Sequence, residues 1–402
     1  MGHIAVIGAG QAGAALVARL RAKGHAGEIT LIGAEPVPPY QRPPLSKKYL
    51  LGEMEEERLY LRPAAWYAEN GITLRTGAEV EAIMPAAREI VIGGEVMRYD
   101  RLALTTGSVP RHLPAAIGGA LDGVFCVRGL ADIAAMAPQV VPGARVLIVG
   151  GGYIGLEAAA VAALKGLKVV LVEMGERILQ RVAAPETSDY FRALHRAHGV
   201  EIREGCGLER LTGEGRVSGA VLSDGSEIAV DFVIVGAGIL PDTALAVEAG
   251  LVVDNGIACD AQCRTSDPAI WAAGDCASFP FRGGRLRLES VQNAIDMAEC
   301  AADTMLGLGV DYDPKPWFWS DQYDVKLQIA GLSTGYDRIV IRRDDKGARS
   351  HWYYAGERLL AVDAMNDPRG YMVGKRLIDA GRSADPAKVA DPAVDLKELM
   401  KG

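Results

Sequence analysis

The chain has 402 residues, 49% hydrophobic and 23% charged, which exceeds one ordinary core and suits two or three domains. Its formal charge of −8 excludes nucleic acid as the main partner, because phosphate binding needs a basic surface. No uncharged apolar run reaches about 18 residues, and glycines and a glutamine break the apolar N-terminus, so neither a membrane span nor a secretory leader is expected.

The first predicted strand, His3-Ile4-Ala5-Val6-Ile7, meets the turn Gly8-Ala9-Gly10-Gln11-Ala12-Gly13 and then an Ala/Leu-rich helix over residues 14–20. A second apolar strand, residues 28–32, leads to Glu35, 27 positions after Gly8. In the loop Pro39-Tyr40-Gln41-Arg42-Pro43-Pro44-Leu45-Ser46-Lys47 the prolines fix an extended path, and Arg42 and Lys47 supply positive charge. A further strand runs over 102–107. The opening phrase then returns: Arg145-Val146-Leu147-Ile148-Val149, the turn Gly150-Gly151-Gly152-Tyr153-Ile154-Gly155, a helix from Leu156, and the strand 169–173 ending at Glu173, 23 positions after Gly150. Continuously apolar strands of this kind suit a parallel sheet covered on both faces.

Residues 102–107 and 232–238 close the two sheets, residues 270–275 give a third glycine-acid signal, and beyond Asp313-Pro314-Lys315-Pro316 come strand-like runs such as Arg338-Ile339-Val340-Ile341. A polar tail from about residue 383 reads as loosely held. The expected fold is α/β, with two Rossmann-like parallel-sheet domains and a C-terminal α+β domain. The first domain is discontinuous, residues 1–112 and 240–315; residues 113–239 form the inserted second, and residues 316–402 the third.

Each glycine has a physical task. The first makes the tight turn, the second lets a pyrophosphate approach the backbone, and the third seats the helix on its strand. The helix N-terminus adds free N–H groups and partial positive charge. The acid at the end of the second strand, Glu35 or Glu173, accepts from a ribose diol. A carboxylate at Glu173 also opposes the 2′-phosphate of NADPH, by on the order of 4 kcal/mol at about 4 Å before screening. Arg177, four residues on, is positioned to offset part of this. NADH is therefore favoured.

The phrases Leu31-Ile32-Gly33-Ala34-Glu35 with the proline loop, Thr105-Thr106-Gly107-Ser108-Val109-Pro110-Arg111, Ala273-Gly274-Asp275, Glu289-Ser290-Val291-Gln292-Asn293-Ala294 and Pro316-Trp317-Phe318-Trp319-Ser320-Asp321-Gln322 resemble the signatures of the putidaredoxin reductase-type ferredoxin reductases. These belong to the glutathione-reductase-like flavoproteins, and the resemblance covers nearly the whole chain. It implies that the first Rossmann unit binds FAD through Gly8, Gly10, Ala12, Gly13, Glu35, Arg42, Lys47, Thr106, Arg111, Gly274, Asp275, Val291, Gln292 and Trp319, with Asp275 on a ribityl hydroxyl. It implies that the inserted unit binds NADH through Gly150, Gly152, Tyr153, Ile154, Gly155, Glu157, Glu173 and Gly238. Glu157 falls near the nicotinamide amide, or else complements the helix dipole from the first turn. Trp317 and Trp319, two apart, share a face if they lie on a strand. The implied partner is a small [2Fe–2S] ferredoxin serving a cytochrome P450 or a ring-hydroxylating oxygenase.

Disulfide reductases of this superfamily carry a Cys-x4-Cys pair after the first ribose acid, whereas residues 42–51 contain no cysteine. Electrons are therefore expected to leave directly from the flavin, and no catalytic acid or base is nominated. The six cysteines, Cys126, Cys206, Cys259, Cys263, Cys276 and Cys300, lack zinc-site spacing and read as free thiols of a reducing cytoplasm. Residues 316–402 hold 14 Lys/Arg against 13 Asp/Glu, so any basic docking face is mild, with Arg285, Arg287, Lys326, Lys375 and Arg376 as its candidates. Two other readings stay open: an NADH oxidase or quinone-type reductase, and a non-catalytic flavoprotein of the apoptosis-inducing-factor kind.

Overall fold

The computed structural model describes residues 2–345 and 347–401. In chain order, the elements that matter here are β1 (Ile4–Ile7), α1 (Gln11–Ala22), β2 (Ile29–Ile32), β3 (Ile72–Arg75), β4 (Arg101–Leu104), β5 (Val124–Cys126), β6 (Arg145–Val149), α2 (Tyr153–Leu164), β7 (Lys168–Glu173), α3 (Pro185–Ala197), β8 (Glu201–Glu204), β9 (Phe232–Val235), β10 (Ile270–Ala272), α4 (Val291–Met305), β11 (Trp317–Gln322), β12 (Val325–Gly331), β13 (Arg338–Arg343), β14 (Arg349–Ala355), β15 (Arg358–Met365) and α5 (Pro368–Asp379). The chain divides into two compact units, Met1–Arg42 with Glu55–Val109 and Ile239–Pro316, and Pro43–Met54 with Pro110–Gly238 and Trp317–Gly402.

In the first unit the sheet order is β10-β4-β1-β2-β3, and every pair is parallel. Successive side chains point to opposite faces, so a parallel strand covered on both sides must be apolar throughout. All four residues of β1 and of β2 are buried. The chain leaves β1 for β2 on one side and later adds β4 on the other, so the turn after β1 lies at the carboxyl end of the sheet, where the strand order reverses. Helices α1 and α4 cover one face with Leu16, Val17, Leu20, Met297, Ala301 and Met305. Arg19 joins them through two hydrogen bonds to Asp303, of 2.8 and 2.7 Å.

The second unit repeats the plan, with order β8-β7-β6-β9-β5, again all parallel. It also contains the antiparallel sheet β11-β12-β15-β14-β13. The segment from Trp317 onward, expected as a separate domain from residue 316, clusters with the second parallel sheet, and so does Pro43–Met54. A buried polar network ties α3 to the antiparallel sheet. The Thr187 hydroxyl donates to Asp363 at 2.8 Å, the Tyr353 hydroxyl donates to the same oxygen, and the Ala184 N–H donates to Tyr353 at 3.1 Å. Burial pushes the Asp363 carboxyl up to about 6. Among the described residues no helix is long and apolar enough to cross a membrane.

The tail corrects one expectation. Residues beyond 383 are held down: Val389 and Leu399 are buried in the core of the antiparallel sheet, and Val394, Leu396 and Met400 pack against it. The Arg342 guanidinium donates to the carbonyls of Val389, Asp391, Pro392 and Val394 at 2.8 to 3.2 Å, and the Tyr354 hydroxyl donates to Ala384 at 3.0 Å. A composition dominated by Asp, Pro and Lys concealed five apolar anchors and a distant arginine. Arg342→Ala leaves four carbonyls short of a donor. It should cost roughly 1–3 kcal/mol, read as a lower Tm together with faster proteolytic loss of the last dozen or so residues.

Candidate dinucleotide-binding sites

Each glycine turn divides its residues between building the fold and leaving a space. At the first turn Gly8 has φ of 107°, in the left-handed region, and a Cβ there would lie 2.2 Å from the Thr105 carbonyl oxygen. A Cβ on Gly13 would lie 2.1 Å from the Gly8 carbonyl. The second turn matches it: Gly150 has φ of 110° with a Cβ 2.5 Å from the Gly236 carbonyl, and a Cβ on Gly155 would sit 2.0 Å from the Gly150 carbonyl. The middle glycines differ. Gly10 and Gly152 have extended backbones that any residue adopts, yet a Cβ on either would meet nothing within 4 Å. Among the described residues nothing crowds a Cβ at these two glycines, and the open space at a helix N-terminus with unpaired N–H groups fits a pyrophosphate.

In the first unit Thr105 fixes the turn, its hydroxyl lying 3.1 and 2.8 Å from the Ile7 and Gly8 carbonyls. Glu35 stands past the end of β2 and accepts from the Tyr40 hydroxyl at 2.6 Å and from Arg42. Arg42, expected among the FAD residues, pairs here with Glu35. Gly274 has φ of 85°, and a Cβ there would lie 3.1 Å from the Ala12 side chain, so these two expected residues are neighbours. Asp275 accepts from Ser108 at 3.1 Å, and the Thr106 hydroxyl donates to the Asp242 carbonyl at 2.6 Å. Ser290 caps α4 by accepting from the Asn293 N–H. Val291 and Gln292 therefore begin that helix, and the Gln292 amide donates to Asp296.

In the second unit Glu173 ends β7, and its carboxylate accepts at 2.7 Å from both the Gly151 and the Gly175 N–H. Arg177 does not offset it. That guanidinium donates to the Ser188 hydroxyl and the Gln180 carbonyl instead. Tyr153 packs its ring at 5.0 Å from Phe318, and its hydroxyl is buried without a partner among the described residues. Ile154 is 44% exposed. Gly238 takes φ of 93°, and its carbonyl accepts from the Arg111 N–H at 2.9 Å. The Arg111 side chain is exposed.

Glu157 departs most from expectation. It lies beyond the first turn of α2 and is only 2% exposed, so the dipole reading fails. Its carboxylate accepts from Lys47 at 2.8 Å, from Ser46 at 2.8 Å and from Ser320 at 2.7 Å. A buried carboxylate left unpaired is strongly destabilising, so these three donors are a condition of its presence. Lys47 thus spends its charge on Glu157. Trp317 and Trp319 do share a face of β11, their rings 5.6 Å apart. Sequence reasoning overlooked Ser46, Ser320, Gln322 and His195. These polar residues come from three separate stretches, with only Ser320 and Gln322 sharing a strand.

All six cysteines are free and buried; burial raises the Cys126 thiol to about 11 and holds Cys259 higher still, which suits inert packing of those two rather than redox chemistry. Of the docking candidates, Arg285 is spent on the Cys259 and Ser278 carbonyls, Arg287 pairs with Glu289 at 2.7 Å, and Lys375 pairs with Asp379 at 2.5 Å.

The two kinds of glycine can be separated by experiment. Gly152→Ala should leave Tm within about 1 °C, or raise it slightly by restricting the unfolded chain, while weakening nicotinamide dinucleotide binding at least several-fold. Gly155→Ala drives a methyl into a carbonyl and should cost roughly 1–3 kcal/mol or more of stability. Equal losses of stability in both variants would contradict the division.

Comparison with known proteins agrees with this geometry. The pyridine nucleotide-disulphide oxidoreductase family matches residues 2–298, and the reductase C-terminal family matches residues 317–400. Putidaredoxin reductase of Pseudomonas putida is 40% identical, covering 99% of this chain and 96% of its own. The anthranilate 1,2-dioxygenase system ferredoxin–NAD(+) reductase component of Burkholderia cepacia is also 40% identical, covering 98% of each. The solved covalent putidaredoxin reductase–putidaredoxin complex superposes with a TM-score of 0.95 at 39% identity, covering 100% of this chain and 98% of that one. The chain belongs to the pyridine nucleotide-disulphide oxidoreductase family and, within it, to the putidaredoxin reductase-type ferredoxin reductases.

Proposed function

We propose that this protein is an NADH-dependent ferredoxin reductase that carries FAD and delivers electrons to a small [2Fe–2S] ferredoxin, which in turn serves a cytochrome P450 or a ring-hydroxylating oxygenase. One observation carries the reading: two glycine turns, each open at its middle glycine, occur in a chain alike along its whole length to reductases named for such ferredoxin systems. When bound, FAD takes two electrons as a hydride from the nicotinamide and passes them on singly.

The chain's own residues bind, orient and balance charge. Gly8, Gly10 and Gly13 with the N-terminus of α1 receive the FAD pyrophosphate, and Glu35 receives its ribose. Lys47, Thr106, Arg111, Asp275, Gln292 and Trp319 are assigned to the rest of that cofactor. Gly150, Gly152 and Gly155 with α2 receive NADH, and the free lone pairs of Glu173 receive its adenosine ribose. The absence of cysteine from residues 42–51 leaves no dithiol relay next to this loop, so electrons leave from the flavin itself. The free thiols accord with a cytoplasmic location.

Two measurements test the reading. The purified protein should be yellow, bleach within the mixing time scale of a stopped-flow NADH titration, and turn over far faster with a [2Fe–2S] ferredoxin than with oxygen or quinones; a carrier-independent oxidase rate of equal size would refute the assignment. Glu173→Gln removes the charge that repels a 2′-phosphate and should lower the NADH-over-NADPH ratio of kcat/KM roughly tenfold or more. An unchanged ratio would deny that carboxylate its part in selecting the nucleotide.

A further inference from the structure

A chain of hydrogen bonds leads inward to Glu157, entirely within the second unit. The Tyr323 hydroxyl lies 3.1 Å from His195 Nδ1. His195 Nε2 lies 2.8 Å from Gln322 Oε1, Gln322 Nε2 lies 3.1 Å from the Ser320 hydroxyl, and that hydroxyl lies 2.7 Å from Glu157 Oε1. His195, Gln322 and Ser320 are all 0% exposed. The other Glu157 oxygen holds Ser46 and Lys47.

The direction of every bond follows from the charge at one end. A carboxylate only accepts, so Ser320 gives it its single proton and must itself accept. Gln322 then presents its amide N–H to Ser320 and its oxygen to His195. His195 must carry its proton on Nε2, which leaves Nδ1 to accept from Tyr323. The imidazole is neutral, since burial pushes it down to about 4. Each interior hydroxyl, amide and imidazole gives one hydrogen bond along the chain and takes one. Reversing any member would require a proton on Glu157 or leave a buried group unpaired, which costs roughly 1–3 kcal/mol.

Tyr323 is held in place against a backbone preference. It occupies the two-residue turn between β11 and β12 with φ of 56°, a region where non-glycine residues are uncommon. Its ring stacks on the exposed His198 with centroids 3.7 Å apart and planes 14° from parallel. The outer end of the chain is therefore fixed at the protein surface, and its inner end at the Lys47–Glu157 pair.

We propose that His195 is a positioning residue for that pair, acting through Gln322 and Ser320 as a one-way relay that locks the Glu157 carboxylate, and with it the Lys47 ammonium, beside the start of the nucleotide-binding helix. The proposal rests on the reading above, in which Glu157 lies at the nicotinamide end and Lys47 serves FAD. Its consequence is that the tautomer of a buried histidine reports the state of a carboxylate three hydrogen bonds away.

The test uses FAD-loaded protein labelled with nitrogen-15 at histidine. The His195 signals, assigned by their loss in His195→Gln, should show the neutral Nε2–H tautomer in the wild type. In Ser320→Ala, where the Gln322 amide is free to turn over, they should shift toward a mixture. A wild-type Nδ1–H or charged ring, or an Nε2–H ring unmoved in Ser320→Ala, overturns the relay. In single-turnover reduction by NADH, Ser320→Ala and His195→Phe should be roughly tenfold slower with little change in dinucleotide affinity. His195→Gln, which keeps an N–H donor for Gln322, should recover most of the rate. Equal rates in His195→Gln and His195→Phe overturn the positioning role, and Ser320→Ala decides it if His195→Phe does not fold. If the wild type is not reduced by NADH at all, the functional reading fails, and the tautomer measurement still judges the relay by itself.

Discussion

Both parallel sheets depend on one steric constraint, the approach of a helix to the strand it follows. At Gly13 and Gly155 an added Cβ would stand 2.1 and 2.0 Å from the carbonyl oxygen of the glycine that opens the turn. No shift of a flexible neighbour relieves such a contact, because the obstacle is backbone. With hydrogen there, α1 and α2 seat against their sheets, and the N–H groups of their first turns converge just beyond the carboxyl ends of β1 and β6. The same closeness that forbids a side chain at the third glycine aims the helix N-terminus at the space left by the second. Packing and binding are thus one requirement met at two adjacent positions.

Charge is organised by a second constraint. A carboxylate proposed to take a ribose must be exposed enough to meet a ligand and held firmly enough to be pointed. Glu173 meets this through two backbone N–H groups, and Glu35 through Tyr40 and Arg42. Glu157 is the opposite case, since its carboxylate is shut away from water and neutralised by Lys47. The need to bring that lysine and Ser46 to α2 accounts for Pro43–Met54 clustering with the second unit although sequence on both sides belongs to the first.

What the amino-acid order discloses follows from where the information lies. An apolar strand, a glycine whose φ no side chain tolerates, and a helix are neighbours in sequence, so both turns and the strands β1, β2, β6 and β7 can be read directly. Trp317 and Trp319 are likewise placed on one face by spacing alone. Arg342 and the carbonyls it holds are about 50 residues apart, and the segment it anchors reads as an unstructured tail. Ser46, Glu157, His195 and Ser320 come from four stretches that have nothing in common until the chain folds. Arg42 is subtler: its charge is evident from the sequence, but its pairing with Glu35, seven residues back, is not.

Strand β11 joins these threads. Its odd residues, Trp317 and Trp319, form an aromatic face, while its even residues, Phe318, Ser320 and Gln322, meet Tyr153, Glu157 and His195 on the other. Side chains in a strand alternate with a period of two, so a slip of one residue would exchange the faces, burying tryptophans where hydroxyl and amide groups are required. The turn after the strand prevents the slip. Gln322 pairs with Val325 across two residues, and Tyr323 is pinned at positive φ by His195 and His198. The register of the aromatic face is therefore set by the same tyrosine that starts the hydrogen bonds leading to Glu157. A change that disturbs one face must reach the other through a single backbone, which makes the polar side of this strand as much a determinant of the tryptophan geometry as the tryptophans themselves.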